Sequence, residues 1–146
     1  MEQTQAVVEE HYAALRGHDW DHLNSLYAPE VEYEDPEVSV TGDSAVMSRA
    51  RNLEAPFSDV DLALRSVEAG EDRCTVEWAY QGTNHAPIRT HAGVDFPATG
   101  RKITVKGVSV FELQAGRIIR ERSYWDTASV YGQLGLLTDP VVLGSW

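Results

Sequence analysis

The chain of 146 residues has one cysteine, Cys74, so it can close no internal disulfide and offers no set of thiolates to a metal. Basic residues are also few. Twelve Lys and Arg stand against 23 Asp and Glu, giving a net charge of -11 and a pI near 4.7. Such a surface repels phosphates and anionic lipid, which argues against nucleic acid and membrane surfaces as partners. No stretch approaches the roughly 20 apolar residues of a membrane span. The opening MEQTQAVVEEHYAALRG has acidic and polar residues where a signal peptide needs a basic stretch and then an apolar run, so a cytoplasmic protein is expected. Also missing are a G-x-S-x-G elbow, a P-loop and a G-x-G-x-x-G turn, which removes the usual serine hydrolase, nucleotide and dinucleotide readings.

What is present fits one domain over residues 1–146, long enough to bury a core without staples. Val8, Tyr12 and Leu15, with Val7 and His11 beside them, recur at helical spacing, and Gly17 is placed to end that helix. Asp19 reads as the cap of a second helix with the stripe Trp20, Leu23, Leu26 and Tyr27, stopped by Pro29. Val31 and Tyr33 alternate with Glu30, Glu32 and Glu34 as in a short strand, and Asp35-Pro36 opens a loop. A third helix is expected from Asp43 or Ser44 through Val46, Ala50 and Leu53 to Pro56.

From there the period changes to two. Val60, Leu62 and Leu64 form one strand, and the turn 70–73 leads into Cys74, Val76, Trp78 and Tyr80 on the apolar face of the next. Residues 82–100, with Pro87, Gly93 and Pro97, read as a long loop or distorted edge. Strands over 102–113 and 117–125, joined at Gln114-Ala115-Gly116, make the last hairpin, followed by a short closing helix over 127–134 and an apolar tail over 138–146. Helices first and a meander afterwards argue for an α+β fold. A bent sheet with one apolar face would enclose the first helix as a cone, whose open end is a natural pocket.

The blocks VVEEHYAAL, YAPEVEYEDP, FPATGRKITVKGVSVFEL and GRIIRERSYWDTASVYGQLGLL occur in that order from Val7 to Leu137. Together they resemble the SnoaL-like polyketide cyclase family of the nuclear-transport-factor-like superfamily. The resemblance implies a cone-shaped, mixed but mainly antiparallel sheet around an N-terminal helix. It implies the reaction less sharply, because that superfamily hosts cyclases, isomerases, dehydratases, epoxide hydrolases and non-catalytic binders. In its cyclases an aspartate ending the last long strand is general acid and base in an aldol closure that needs no metal and no organic cofactor. Asp126 stands at the matching place.

Regular alternation along the last strand puts Arg122, Tyr124 and Asp126 on one face and Ser123 and Trp125 on the other. If the first face lines the cone, Asp126 is the catalytic candidate, half-dried by aromatic rings; otherwise it caps the closing helix, a role Thr127 also fits. Arg122 would orient a carbonyl or pair with Asp126, or else be a solvated arginine. Tyr33 is expected as a wall and Asp35 beside it as a turn starter or substrate contact. Tyr12, Trp20, Trp78 and Tyr80 are the large aromatics on expected buried faces, where stacking walls and plain core look alike in sequence. His85 reads as a second acid/base group at the pocket mouth or as a surface-loop histidine; it departs by one place from relatives, which carry a histidine nearer Asn84. His18 and His22 lack a third ligand, so no metal is expected, and Cys74 reads as core.

The expected function is therefore a cofactor-independent enzyme acting on a hydrophobic or aromatic, carbonyl-bearing substrate by cyclisation or isomerisation. Two alternatives stand beside it: an epoxide-hydrolase-like site from Asp126, Arg122 and Asp35, and a non-catalytic binding protein. A homodimer is expected through the outer sheet face, with Trp125 and Val110 buried between subunits.

Overall fold

In the computed structural model, residues 1–90 and 93–137 are described; the apolar tail expected over 138–146 lies outside them. Helix α1 (Glu2–Arg16) buries Thr4, Val8, His11 and Tyr12, the i, i+4, i+7 and i+8 stripe of an amphipathic helix. Helix α2 (Trp20–Ser25) begins at Asp19, whose side chain accepts from the His22 N–H as expected of a cap. It is shorter than its apolar stripe suggested. Tyr27 already starts strand β1 (Tyr27–Glu34), because the Leu26 carbonyl accepts the Ile118 N–H and draws the chain into the sheet.

Strand β2 (Ser39–Thr41) was not evident in the sequence; it doubles back on β1 through the turn at Asp35-Pro36. Helix α3 (Asp43–Glu54) leads into β3 (Phe57–Ala69), which pairs with β4 (Arg73–Asn84). The loop expected over 82–100 is in fact three pieces: the end of β4, then a two-stranded ribbon of β5 (Ile88–Arg89) and β6 (Asp95–Phe96). Strands β7 (Lys102–Gln114) and β8 (Arg117–Trp125) and helix α4 (Thr127–Gln133) complete the described chain. The turn between β7 and β8 has Ala115 and Gly116 both at positive φ, the geometry that suits a two-residue hairpin.

The main sheet runs in the order β2-β1-β8-β7-β4-β3. Neighbours are antiparallel except β1 and β8, which are parallel, so the sheet is mixed. It curves because its ladders are interrupted by extra residues. Strand β3 carries one between Ser58 and Asp61 and another between Leu64 and Ser66. Bulges of this kind bend a strand and add twist, here closing the sheet around α1. The core inside contains Val8, Tyr12, Phe111 and Ile118, with Phe111 edge-on to both His11 and Tyr12.

One bulge decides the site. Opposite β7, Leu113 pairs with Ile118 but Glu112 pairs with Arg120, so Ile119 is an extra residue on β8. Ile118 points into the core, and unbroken alternation from it would send residues 120, 122, 124 and 126 inward too. The extra residue reverses the phase, as a one-residue slip must. Glu121, Ser123 and Trp125 therefore face the interior, while Arg122 and Tyr124 face out. This overturns the expected placement of Arg122 and Tyr124, and it takes Trp125 away from the outer face.

On the facing strand, the Trp78 indole lies flat across Gly107, its partner on β7, and donates to Ser109 Oγ at 3.0 Å. A Cβ at Gly107 would come within 2.2 Å of that ring. Gly107→Ala is therefore expected to displace Trp78 and to cost about 1–3 kcal/mol, the range for overpacking. Urea unfolding checks this, and an unchanged midpoint would contradict the packing.

Candidate functional site

The cone holds a cavity of about 210 Å³, on the order of fifteen times the space one water needs. Its walls come from α1, α3, the inner faces of β4, β7 and β8, and the ribbon residues Ile88 and Arg89. Tyr12, Tyr33, Trp78 and Tyr80, the aromatics expected as walls, all line it. The Trp78 and Trp125 rings stand 6.2 Å apart, tilted, as two faces of an aromatic wall.

Three polar groups meet on the cavity side of β8. Tyr27 donates its hydroxyl proton to Glu121 Oε1 at 2.5 Å. His11 Nε2 lies 2.9 Å from the same Tyr27 oxygen and 3.5 Å from Glu121 Oε1. Tyr27 has one proton to give, so its oxygen accepts from His11 Nε2–H. His11 Nδ1 then has no partner among the described residues. Burial, followed by the Glu121 charge, holds the Tyr27 and Tyr12 hydroxyls well above the usual tyrosine range, so both stay protonated donors. Glu121 itself is only 7% exposed, yet lines the cavity.

A second cluster supports the wall from behind. Asp35 accepts from Tyr33 Oη at 2.7 Å, from Arg49 Nε and Nη2 at 2.8 and 3.1 Å, and from the backbone N–H groups of Glu37 and Val38. The Asp35 side chain is fully buried behind Tyr33 and is not part of the cavity lining. With both oxygens engaged in this way it starts the turn and anchors α3, and of this cluster it is Tyr33 and Arg49 that line the cavity. Tyr131 on α4 donates to Glu37, and burial with that carboxylate beside it pushes its hydroxyl up to about 12.

A third pair, Glu54 and Tyr80, faces the cavity from α3 and β4. Burial raises the Glu54 carboxyl above the usual range, partly offset by His18, and burial with Glu54 nearby raises the Tyr80 hydroxyl. The two act on each other by charge and by a loose mutual hydrogen bond, with Tyr80 Oη and Glu54 Oε2 both closed off from solvent.

The remaining sequence candidates lie elsewhere. Asp126 is exposed, and its Oδ1 accepts the Ser129 N–H at 3.0 Å as the N-cap of α4. Arg122 sits 3.6 Å from Glu112 on the outer face, and Tyr124 is 51% exposed. Asp126, Arg122 and Asp35 do not come together, so the paired-aspartate and arginine set has no common site. His85 is exposed and outside the cavity lining. Its neighbour Asn84 is fully buried and ties the loop down, donating to the Pro56 and Ala86 carbonyls and accepting from the Thr99 N–H and hydroxyl. Cys74 is buried core, its thiol pushed up by burial.

Because the folded Glu54 carboxyl titrates above its unfolded value, its favourable contribution is complete below the ordinary glutamate pKa and fades as pH rises through the folded value. Glu54→Gln has no such loss. Its stability relative to the parent is expected to climb from acid toward neutral pH. Thermal melts of both proteins across that span check this, and a pH-independent difference would contradict it.

The SnoaL-like domain profile matches residues 8–121. No curated protein matches the chain by sequence. Among solved structures it is similar to TsrD from Streptomyces laurentii, at 24% identity over 94% of this chain and 98% of that one, TM-score 0.79. A candidate SnoaL-like polyketide cyclase from Jannaschia sp. CCS1 is similar at 19% identity over 94% of each chain, TM-score 0.81. An LEH-like epoxide hydrolase from M. tuberculosis is similar at 16% identity over 99% and 98%, TM-score 0.70. At these identities the likenesses establish the fold and leave the reaction open. The profile covers most of the chain and the cone is the one its sequence blocks implied: the protein belongs to the SnoaL-like domain family.

Proposed function

We propose that the protein is a cofactor-independent enzyme that moves a proton on a carbonyl-bearing, largely planar small molecule, giving a cyclised or isomerised product. The observation that carries this reading is Glu121, a carboxylate on the wall of an apolar, aromatic-lined cavity, oriented by Tyr27 and His11. General base catalysis needs such a group within reach of the substrate and fixed in direction. Asp126, the residue implied by the family pattern, is exposed at the cap of α4, so the acid/base role passes to Glu121 five residues earlier.

Each wall then has a task. Trp78 and Trp125 hold a flat ring system, and shape rather than charge selects it. Glu121 takes the proton from the carbon next to the carbonyl. Tyr12, kept protonated by burial and the nearby Glu121 charge, donates to the oxygen on which negative charge develops. Glu121 returns the proton to the product, so the protein ends as it began. His11 and Tyr27 position the carboxylate and share its charge through the chain of hydrogen bonds.

The C1 protons of 2-tetralone provide a simple test, because their exchange in deuterium oxide is read directly by NMR. The parent is expected to accelerate exchange, Glu121→Gln to reduce that acceleration about 100-fold or more, and Asp126→Asn to stay within about threefold. Loss in Asp126→Asn with retention in Glu121→Gln would overturn the assignment.

A further inference from the structure

We propose that Ser109 is a positioning residue for the proton transfer: held from two sides by Trp78 and Ser123, it gives its own proton to Tyr12 and so turns the Tyr12 hydroxyl toward the carbonyl oxygen of the guest. This rests on the reading of the cavity as a carbonyl site. Ser109, Ser123, Tyr12 and Trp78 all line that cavity. Tyr12 reaches Ser109 from α1. Its ring stands edge-on to Phe111 at 5.9 Å, and Phe111 and Ser109 are both buried, two places apart on the inner face of β7.

Counting protons sets the direction of the chain. The indole Nε1 of Trp78 can only donate, so Ser109 Oγ accepts there, at 3.0 Å. Ser109 and Ser123 are direct partners across β7 and β8, their Oγ atoms 2.7 Å apart, and either hydroxyl can supply the proton between them. If Ser109 supplied it, the Ser123 proton would have no acceptor among the described residues. If Ser123 supplies it, Ser109 Oγ accepts twice, both its lone pairs are filled, and its own proton is left for Tyr12 Oη. Burial and the Glu121 charge hold the Tyr12 hydroxyl high, while the Ser109 bond pulls it the other way, in the sense of a stronger donor. Tyr12 then has its own proton for the oxygen on which charge develops.

The test follows C1 exchange of 2-tetralone in the full chain as a double-variant cycle. Ser109→Ala is expected to lower kcat about five- to tenfold with KM within about twofold, because the bond it supports strengthens only as charge develops on the oxygen. Tyr12→Phe is expected to lower kcat about 100-fold, and adding Ser109→Ala to it to cost less than about twofold more, since the serine then has no hydroxyl to act on. The infrared carbonyl stretch of bound 2-tetralone reads the same bond without turnover. It is expected at higher wavenumber in Ser109→Ala than in the parent, and unchanged when Ser109→Ala is added to Tyr12→Phe. An equal loss from Ser109→Ala in both backgrounds, or a raised KM with kcat kept, would show a serine that only packs Trp78 and would overturn the proposal. Parent-like exchange in Ser109→Ala would overturn the role of Ser109 and leave the carbonyl reading intact. A parent that exchanges 2-tetralone no faster than buffer would end both.

Discussion

The site depends on one extra residue in the last strand. Ile119 has no partner on β7, and the side-chain alternation of β8 is reversed beyond it. A glutamate, a serine and a tryptophan turn inward; two arginines and a tyrosine turn out, where Arg120 and Arg122 meet Glu32 and Glu112. Had the ladder run unbroken, the cone would hold two guanidinium groups and the outer sheet a carboxylate. The bulge therefore sets the chemical character of the interior as well as its curvature, and β3 shows the same device twice more.

Among the described residues, three buried carboxyl groups are treated differently. Asp35 has a bidentate arginine, a tyrosine and two backbone donors, the full company that a buried charge requires. It is a fixture. Glu121 is held through Tyr27 and faces the cavity, while Glu54 has only a loose contact with Tyr80. Asp35, with every bond made, has nothing left to offer a guest, whereas Glu121 and Glu54 are on the cavity wall.

Much of the fold was legible from periodicity. The stripe of α1, the cap at Asp19, the turn at Ala115-Gly116 and the inner face of β4 through Cys74, Val76, Trp78 and Tyr80 all follow from spacing alone. The site was legible only in its aromatic walls. Tyr27 was hidden because its spacing continues the stripe of α2, although the chain turns into a strand there. Glu121 was hidden because a strand's period of two has no mark for a residue that a bulge removes from the count, and Ile118-Ile119 offers two apolar residues with equal claim to the core. His11 lay beside Tyr12 on the buried helix face, but its partners are 16 and 110 residues away in sequence. Asp126 fitted both of its readings until the Ser129 N–H was seen to occupy it.

The claim at the centre is that the cone's interior, with Glu121 on its wall, is where a carbonyl compound is held. A crystal structure of the protein soaked with 2-tetralone addresses it directly. The ring is predicted to lie against Trp78 and Trp125 with C1 turned toward Glu121. Density for the ligand on the outer sheet face beside Arg122 and Asp126, with the interior closed by its own side chains, would contradict it.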